Sequence, residues 1–315
     1  MRFSKIPVYM INGFLESGKS EFIKYTITQP YFRSKGRTLL ILCEEGEVEF
    51  EEDVLSSTNT VLEIIDDRED FNTDKLSEIS ARVKPSRIIV EFNGMWNPKE
   101  IVLPSDWSIE QQITTIDAST FSIFYSNMKS LVGEQVRNSD MVIFNRCDGI
   151  DNLANFKRSV KAVNQSAEII FEDKDGELNV SLDEELPFDI NADVIKLDDT
   201  GYAIWFIDIS DNLERYEGKT IEYVGMVAKP PMFDDSYFVP GRMAMTCCED
   251  DMAFLGYACK YKDAKYLTEK SYVRVNATIK IEQLDAYQGV GPVLYANSVT
   301  TVKAPKTPVI DFSNL

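Results

Sequence analysis

A glycine-rich stretch near the N-terminus constrains the fold of this chain more than any other feature. Residues 13–20 have the sequence GFLESGKS, which fits G-x-x-x-x-G-K-[S/T], a phosphate-binding pattern when a strand precedes it and a helix follows it. Residues 6–11 form an apolar run, and apolar residues recur at spacings of three and four after Lys19. The stretch therefore predicts a phosphate-binding loop between the first strand and the first helix.

The chemistry of this loop assigns a role to each of its key residues. Gly13 and Gly18 allow backbone torsions that other residues avoid, so that successive N–H groups and the positive end of the helix dipole converge on phosphate. Lys19 would neutralise phosphate charge, and the Ser20 hydroxyl would ligate Mg²⁺. A chance match in a surface loop is the alternative, and the flanking strand and helix argue against it.

Composition narrows the classes of protein to consider. The chain has 315 residues, which favours two domains, and its formal net charge of -19 would repel nucleic acid and anionic membranes. No apolar run approaches the length of a membrane span and residues 1–5 show no signal-peptide core, so we expect a soluble cytoplasmic protein without membrane insertion. The sequence contains no histidine, which excludes an imidazole base and any histidine metal ligand.

Carboxylates follow the ends of two predicted strands. Glu44 opens an acidic stretch after the apolar run 38–43, and this stretch is either a solvated face or a source of carboxylates for Mg²⁺. The strand 87–91, RIIVE, ends in Glu91, which would hold the water shell of Mg²⁺ or polarise the attacking water. A simple strand-end charge is the alternative for Glu91, and its place at the end of a parallel strand disfavours it. Gly94 would bring a backbone N–H to the γ-phosphate.

A guanine-reading motif follows a later strand. The apolar residues 141–144 lead into NRCD at 145–148, which is similar to N-K-x-D with Arg146 in place of lysine. The Asp148 carboxylate would accept hydrogen bonds from the N1–H and exocyclic amine of guanine, a pattern that adenine does not offer. The stem of Arg146 would lie over the plane of the base. The motif therefore predicts GTP as the nucleotide.

Taken together, these motifs resemble the CobW-like P-loop GTPases, relatives of the metallochaperone GTPases that serve nickel enzymes. The similarity covers residues 5–172, where the motifs, including Asp117-Ala118, follow the order of that family. It implies an α/β fold in which a P-loop NTPase domain has a doubly wound, mostly parallel sheet. It also implies these contacts: phosphates and Mg²⁺ at Gly13, Ser17, Gly18, Lys19 and Ser20, the first switch at Glu44 and Gly46, the second at Glu91 and Gly94, and guanine at Asn145 and Asp148.

Several positions depart from the family pattern. The family's Cys-x-Cys-Cys metal motif is missing, since no cysteine lies between Cys43 and Cys147. Glu16 replaces a small residue of the phosphate loop, and Glu21 stands where the family prefers threonine. Both carboxylates and Arg146 are expected beside the nucleotide. A carboxylate directed at phosphate would weaken binding, so the sequence predicts modest nucleotide affinity.

The sequence changes character beyond residue 172. The strand 168–171 is predicted to be the last of the first sheet, and an acidic connection, 172–200, follows without a return of helical periodicity. We therefore predict a P-loop GTPase domain in residues 1–200 and a smaller all-β domain in 201–315. Six strands are predicted in that second part, at 203–209, 221–227, 242–247, 254–261, 272–283 and 293–302. Short strands separated by Gly and Pro indicate a barrel or a sandwich.

The β-rich part resembles a second family. Residues 216–225 and 238–251 are similar to the soluble C-terminal region of the YcgQ-like proteins, bacterial proteins paired with a predicted permease. The similarity spans residues 203–310. It implies an OB-like barrel and a permease as a docking partner.

The five cysteines are scattered and odd in number, which favours a reducing compartment. Cys247 and Cys248 are adjacent and, with Cys259 or Asp250, would form a transition-metal site for an ion such as zinc. Neighbours in a strand point to opposite faces, so a shared ion requires the strand to end there. The alternative is that one thiol packs in the core and the other makes a structural contact.

These observations predict a Mg²⁺-dependent GTP-binding protein with slow hydrolysis, acting as a nucleotide-gated switch or metallochaperone in metal homeostasis. Lys19 and Glu91 are the predicted catalytic residues, and Ser20, Glu44 and Glu91 are expected around Mg²⁺. No residue is identified as an arginine finger, which is why slow hydrolysis is expected. The alternative is a non-catalytic scaffold protein with a degenerate nucleotide site, docking to a permease or metalloprotein. An ATP-using, kinase-like protein is a third hypothesis.

Overall fold

The computed structural model describes residues 5–44, 46, 48–180, 186–245 and 252–311. Contacts divide the chain into two compact units. The first unit holds the described residues up to Leu153 together with Ser166–Val180, and the second holds Ala154–Gln165 together with the described residues from 186 onward. No helix in the described ranges is long and apolar enough to cross a membrane. The predicted domain boundary near residue 200 stays a prediction.

The first unit is built on one large sheet. Its strands, in the described ranges, are β1 (Ile6–Asn12), β2 (Thr38–Leu42), β3 (Thr60–Ile64), β4 (Arg87–Glu91), β5 (Trp107–Asp117), β6 (Met141–Asn145), β7 (Glu168–Asp173) and β8 (Gly176–Leu178). They are ordered β3-β2-β4-β1-β5-β6-β7-β8, and β8 alone among these runs antiparallel to its neighbour. The predicted parallel α/β sheet is confirmed. The strand 168–171 is not the last one, because the turn at Gly176 adds β8.

Helices cover the two faces of this sheet. They are α1 (Lys19–Thr28), α2 (Glu52–Ser57), α3 (Thr73–Val83), α4 (Ala118–Asn127) and α5 (Lys129–Arg137). Beyond its first residue, the next helix, α6 (Leu153–Val163), belongs to the second unit. Successive strand residues point to opposite faces, so Val8 and Met10 share a core cluster with α3, whereas Ile11 shares another with α1. Both faces are therefore apolar, and the strands are buried on both sides.

The strand order decides where a ligand can bind. The central strand β1 lies between β4 and β5, and all three run parallel. Their C-terminal ends therefore meet at one edge of the sheet, which is where ligands bind in open α/β sheets. The glycine-rich loop follows β1, and Glu91 and Asp117 are the last residues of β4 and β5.

The second unit is rich in strands. They are β9 (Ile195–Lys196), β10 (Thr220–Ala228), β11 (Tyr237–Met245), β12 (Met252–Gly256), β13 (Cys259–Lys260), β14 (Tyr272–Leu284), β15 (Gly289–Val302) and β16 (Val309–Asp311). The path β11-β13-β15-β14-β10 closes on itself through a further pairing of β10 with β11. Such a ring is the pattern of a small barrel, and the OB-like assignment stays a prediction. The buried side chains of Tyr216, Phe238 and Trp205 belong to one hydrophobic core cluster of this unit.

One predicted strand of this unit is wrong. Residues 203–209 belong to α7 (Asp199–Asp211), which is followed by the short α8 (Leu213–Tyr216). The side chain of Asp198 caps α7 by accepting a hydrogen bond from the Gly201 N–H. Most residues of α7 are buried, so the helix has no broad polar face and its sequence lacks the alternation that identifies a surface helix. The prediction that helical structure ends before residue 200 fails for the same reason.

Candidate functional site

A cavity of about 350 Å³ lies at the edge of the first sheet where β1, β4 and β5 end. Ten of the predicted site residues line it: Glu16, Ser17, Gly18, Lys19, Ser20, Glu21, Glu44, Gly46, Glu91 and Arg146. Gly13, Gly94 and Asn145 lie directly behind this wall and contact it through hydrogen bonds or close packing. The cavity has the volume of a small-ligand site.

The backbone of the glycine-rich loop has the geometry that the motif predicts. Gly13 and Gly18 have φ angles of 140° and 93°, both in the range that favours glycine. A methyl group on Gly13 would lie 2.3 Å from Ser17 Oγ and 2.4 Å from the Thr115 carbonyl oxygen, so no larger residue fits. Helix α1 starts from the left-handed Gly18 without a side-chain cap.

Because no side chain caps this helix, its first backbone N–H groups remain available to bind a ligand. Within the described residues, the backbone N–H groups of Glu16, Gly18, Lys19 and Ser20 donate to no protein acceptor. Unpaired amides at a helix N-terminus, together with the helix dipole, favour an anion. The donor set at this end of the cavity therefore fits the phosphate groups of a nucleotide.

Lys19 lies inside the loop, with only 2% of its surface exposed. Its Nζ donates to the carbonyl oxygens of Gly13, at 3.0 Å, and Phe14, at 2.8 Å, and it forms an ion pair with Glu44. Two of the three N–H donors of the ammonium group therefore bind the loop itself, and its charge is paired with Glu44. The lysine is held in place before any ligand enters.

Ser20 and Glu91 meet across the cavity. The Ser20 hydroxyl lies 2.8 Å from Glu91 Oε1 and 3.0 Å from Oε2, and Glu91 is 2% exposed. Burial raises the pKa of Glu91 to about 6, while the Ser20 hydrogen bond and the charge of Lys19 partly offset this effect. A hydroxyl beside a carboxylate is the kind of oxygen donor pair that binds Mg²⁺ together with substrate phosphates. The described residues contain no cluster of three or more Cys, Asp or Glu side chains arranged for a metal.

Gly94 is held against the phosphate loop. A methyl group on it would lie 2.5 Å from the Gly13 carbonyl oxygen, so the close approach requires glycine. Its N–H donates to Glu44 Oε2 at 3.3 Å, and its carbonyl oxygen accepts from Gln135 Nε2 at 2.8 Å. Gln135 is buried and acts as a brace for this turn, a role for which the sequence offered no motif.

The residues of the predicted guanine motif make contacts in two different places. Asn145 Nδ2 donates to the Ser17 carbonyl oxygen at 2.8 Å, and this links β6 to the phosphate loop. Arg146 Nη1 donates to the Glu16 carbonyl oxygen at 2.8 Å and to Asp117 Oδ2 at 2.6 Å. Asp148 does not line the cavity, and it lies 3.6 Å from Lys174 in an ion pair.

Three of the other lining residues, none of them a predicted contact, make specific interactions in the cavity wall. Asp117 pairs with Arg146, Thr115 contacts Ser17 Oγ through its hydroxyl at 3.0 Å, and Phe124 stacks on Phe14 at 4.2 Å between ring centroids. The Asp117-Ala118 motif indicated the position of the first of these but not its pairing. The other two carry no local motif, because their contacts join separate strands and helices.

The described cysteines do not form a metal site. Cys43, Cys147 and Cys259 are buried and free, and burial raises the pKa of the Cys147 thiol to about 11 and the pKa values of the other two thiols still further. All three are therefore protonated near neutral pH. Cys247 and Cys248 lie outside the described residues, so their metal site stays a prediction.

The burial of Glu91 is expected to make the free energy of unfolding depend on pH. Its pKa rises from the ordinary 4.5 to about 6 on folding, so the folded state binds more protons than the unfolded state between these values. Stability should therefore fall as the pH rises through this range, by about 2 kcal/mol. In the nucleotide-free protein, Glu91→Gln is expected to be more stable than the wild type above pH 6 and equally stable below pH 4.5, by urea denaturation. A variant that is less stable than the wild type at neutral pH would contradict this expectation.

Two family models match this chain. Residues 7–171 match the model of the family described as CobW/HypB/UreG, nucleotide-binding domain, and residues 174–310 match the DUF1980 C-terminal domain. Among solved structures, the hydrogenase maturation factor HypB from Archaeoglobus fulgidus is 17% identical, with 55% of this chain and 84% of that chain covered and a TM-score of 0.41. No curated protein sequence matches the chain.

Two further solved structures share the same low level of identity. The Zn(II)-bound YjiA GTPase from E. coli is 14% identical, with 96% of this chain and 90% of that chain covered and a TM-score of 0.42. A Zn(II)-bound triple mutant of the YjiA GTPase is also 14% identical, with coverages of 86% and 92% and a TM-score of 0.44.

Proposed function

Because this chain belongs to the CobW/HypB/UreG nucleotide-binding family, we propose that it binds GTP with Mg²⁺, hydrolyses it slowly and acts as a nucleotide-gated switch or chaperone in metal homeostasis. The family membership confirms the resemblance predicted from the order of the motifs. The observation that carries the proposal is the convergence of Lys19, Ser20, Glu44 and Glu91 on one cavity beside unpaired loop amides. The clients, a permease or a metalloprotein, belong to the same proposal.

The residues of the loop would bind the phosphates. The free amides of Glu16, Gly18, Lys19 and Ser20 offer donors, and the ammonium group of Lys19 supplies the positive charge. Bound Mg²⁺ would neutralise charge on the phosphate oxygens, and the Ser20 hydroxyl with the Glu91 carboxylate would hold it. The Glu16 and Glu21 side chains at the rim add negative charge, which supports modest affinity.

Glu91 has the protonation behaviour that a water-activating residue needs. With a pKa of about 6 it is a carboxylate near neutral pH, yet it holds a proton more readily than an exposed glutamate. It would orient the attacking water and accept its proton. Arg146 is the one arginine among the described residues that line the cavity, and it is engaged by Asp117 and the Glu16 carbonyl oxygen. The proposal therefore includes slow hydrolysis without a partner.

Selection of guanine is tested by Asp148→Asn. The asparagine loses the two-acceptor edge that matches the guanine N–H groups, so GTP affinity should fall at least about tenfold while ATP affinity changes little. Isothermal titration calorimetry with both nucleotides measures this difference. Asp151→Asn, an exposed acid in the same loop, is the matched control and should change neither affinity. Equal affinity of the wild type for GTP and ATP would contradict guanine selection and favour the kinase-like alternative.

A non-catalytic scaffold is the second candidate, and the ion pair between Lys19 and Glu44 favours it, since the site is already occupied by a carboxylate of the chain. Release of inorganic phosphate from GTP above background, lost in the Glu91→Gln variant, would exclude this candidate. Binding of GTP without any turnover would support it.

A further inference from the structure

The nucleotide cavity contains an anion that the chain itself supplies. The carboxylate of Glu44 forms an ion pair with Lys19 Nζ and accepts a hydrogen bond from the Gly94 N–H. Only 10% of the Glu44 side chain is exposed. The contact is therefore shielded from water, unlike a surface ion pair, which salt would screen.

The hydrogen bonds of Lys19 show what a ligand would have to replace. Two of its donors hold the carbonyl oxygens of Gly13 and Phe14, which belong to the loop itself. The contact with Glu44 is the one that leaves the loop and faces the cavity. A phosphate oxygen that binds to Lys19 would take the place of the Glu44 carboxylate.

The second donor to Glu44 is the Gly94 N–H, and contacts that do not involve Lys19 hold it in place. The carbonyl oxygen of Gly94 is held by Gln135, and the glycine packs against the backbone of Gly13 and Phe14. Its N–H therefore points to a set position beside Lys19. Carboxylate and phosphate oxygens accept hydrogen bonds from the same charged and backbone donors.

We infer that Glu44 occupies the subsite of the terminal phosphate in the nucleotide-free protein and competes with that phosphate for Lys19 and Gly94. This inference rests on the proposed function. A diphosphate lacks the group that would enter the subsite, so it can bind while Glu44 stays in place. A triphosphate must displace the carboxylate, and Glu44 therefore lowers triphosphate affinity selectively.

Displacement of Glu44 would also change the wall of a second cavity. Glu44 and Gly46 also line a second cavity of about 420 Å³, whose apolar wall includes Leu42, Phe50 and Ile64. Because Glu44, Gly46 and Val48 border both cavities, movement of Glu44 changes the wall of the second one. The conformation of residues 48–50 would therefore differ between the triphosphate-bound and the diphosphate-bound protein.

The test compares Glu44→Gln with the wild type in the full chain, with Mg²⁺, using GDP and a GTP analogue that resists hydrolysis. Isothermal titration calorimetry should show about tenfold tighter binding of the analogue to the variant, the order of one charge-assisted hydrogen bond, and less than about a twofold change for GDP. Glu52→Gln removes an equal charge from an exposed position in α2 and should leave both affinities unchanged.

The other outcomes each overturn the inference. Weaker binding of the analogue to Glu44→Gln would mean that Glu44 acts as a Mg²⁺ ligand, and equal tightening for both nucleotides would mean a general charge effect. A wild type that binds neither nucleotide would overturn the proposed function and this inference together. A wild type that binds both, with no selective gain in the variant, would overturn the inference alone.

A measurement on the wild type tests the same inference without requiring that the variant folds. Amide hydrogen exchange at residues 48–50 should change when the GTP analogue binds and stay close to the nucleotide-free value with GDP. The same response to both nucleotides would contradict displacement of Glu44 by the terminal phosphate.

Discussion

Replacement of Lys19 by alanine is expected to abolish nucleotide binding, with a loss of at least about 100-fold in GTP affinity. Lys19 and Arg146 are the two cations among the described residues that line the cavity, and Arg146 is held by Asp117. Without Lys19, the carboxylates of Glu44 and Glu91 would face the phosphates with no counter-charge beside them, and like charges repel strongly in a shielded site. Calorimetric titration with Mg²⁺ and GTP measures the loss.

Lys24→Ala is the matched control for this experiment. Lys24 lies on the same helix, is 31% exposed and pairs with Glu51 outside the cavity. It should leave GTP affinity within about threefold of the wild type, as expected for a mainly exposed pair. If Lys19→Ala retained similar affinity, with an unchanged circular dichroism spectrum, the assignment of the phosphate site would be wrong.

Replacement of Glu91 by glutamine is expected to slow GTP hydrolysis about 100-fold while GTP affinity changes little, because the amide cannot accept the proton of the attacking water. The substitution is nearly isosteric, and its side-chain oxygen can still accept a hydrogen bond from Ser20. Phosphate release under single-turnover conditions and saturating Mg²⁺ measures the chemical step. Glu63→Gln, at a strand residue paired with Arg82, is the control and should hydrolyse GTP at the wild-type rate.

The pH profile separates a proton-accepting role of Glu91 from a structural one. Wild-type hydrolysis should increase as the pH rises through about 6, where the carboxyl group of the nucleotide-free protein loses its proton. The slower reaction of Glu91→Gln should lack this step. An identical pH profile in the variant, or a rate restored by excess Mg²⁺, would show that Glu91 contributes only structure or metal affinity.

The fold of the first unit could be predicted from its sequence to a large extent. The run 87–91 was predicted as a strand, and it forms β4 with the same limits. Strands buried on both faces are short apolar runs, and these are recognisable without tertiary information. The helix at 199–211 was missed because burial on most sides removes the polar face by which a helix is recognised.

The site was predictable wherever a short stretch of sequence carries the chemistry. Gly18, Lys19, Ser20 and Glu91 line one cavity, and Gly13 lies directly behind it. Asp148 does not line the cavity and pairs with Lys174, so its contact with guanine stays a prediction. Arg146 was expected over the base, and its guanidinium group links Asp117 to the phosphate loop.

The sequence by itself determined the phosphate loop, because positive φ angles at Gly13 and Gly18 and the start of a helix at Lys19 depend on neighbouring residues. Only the tertiary structure decided that Glu44 holds Lys19 and Gly94, and that Gln135 braces this arrangement. These contacts join residues from different strand ends and helices, and the order of the strands in the sheet brings them together. No local pattern of side chains encodes that order.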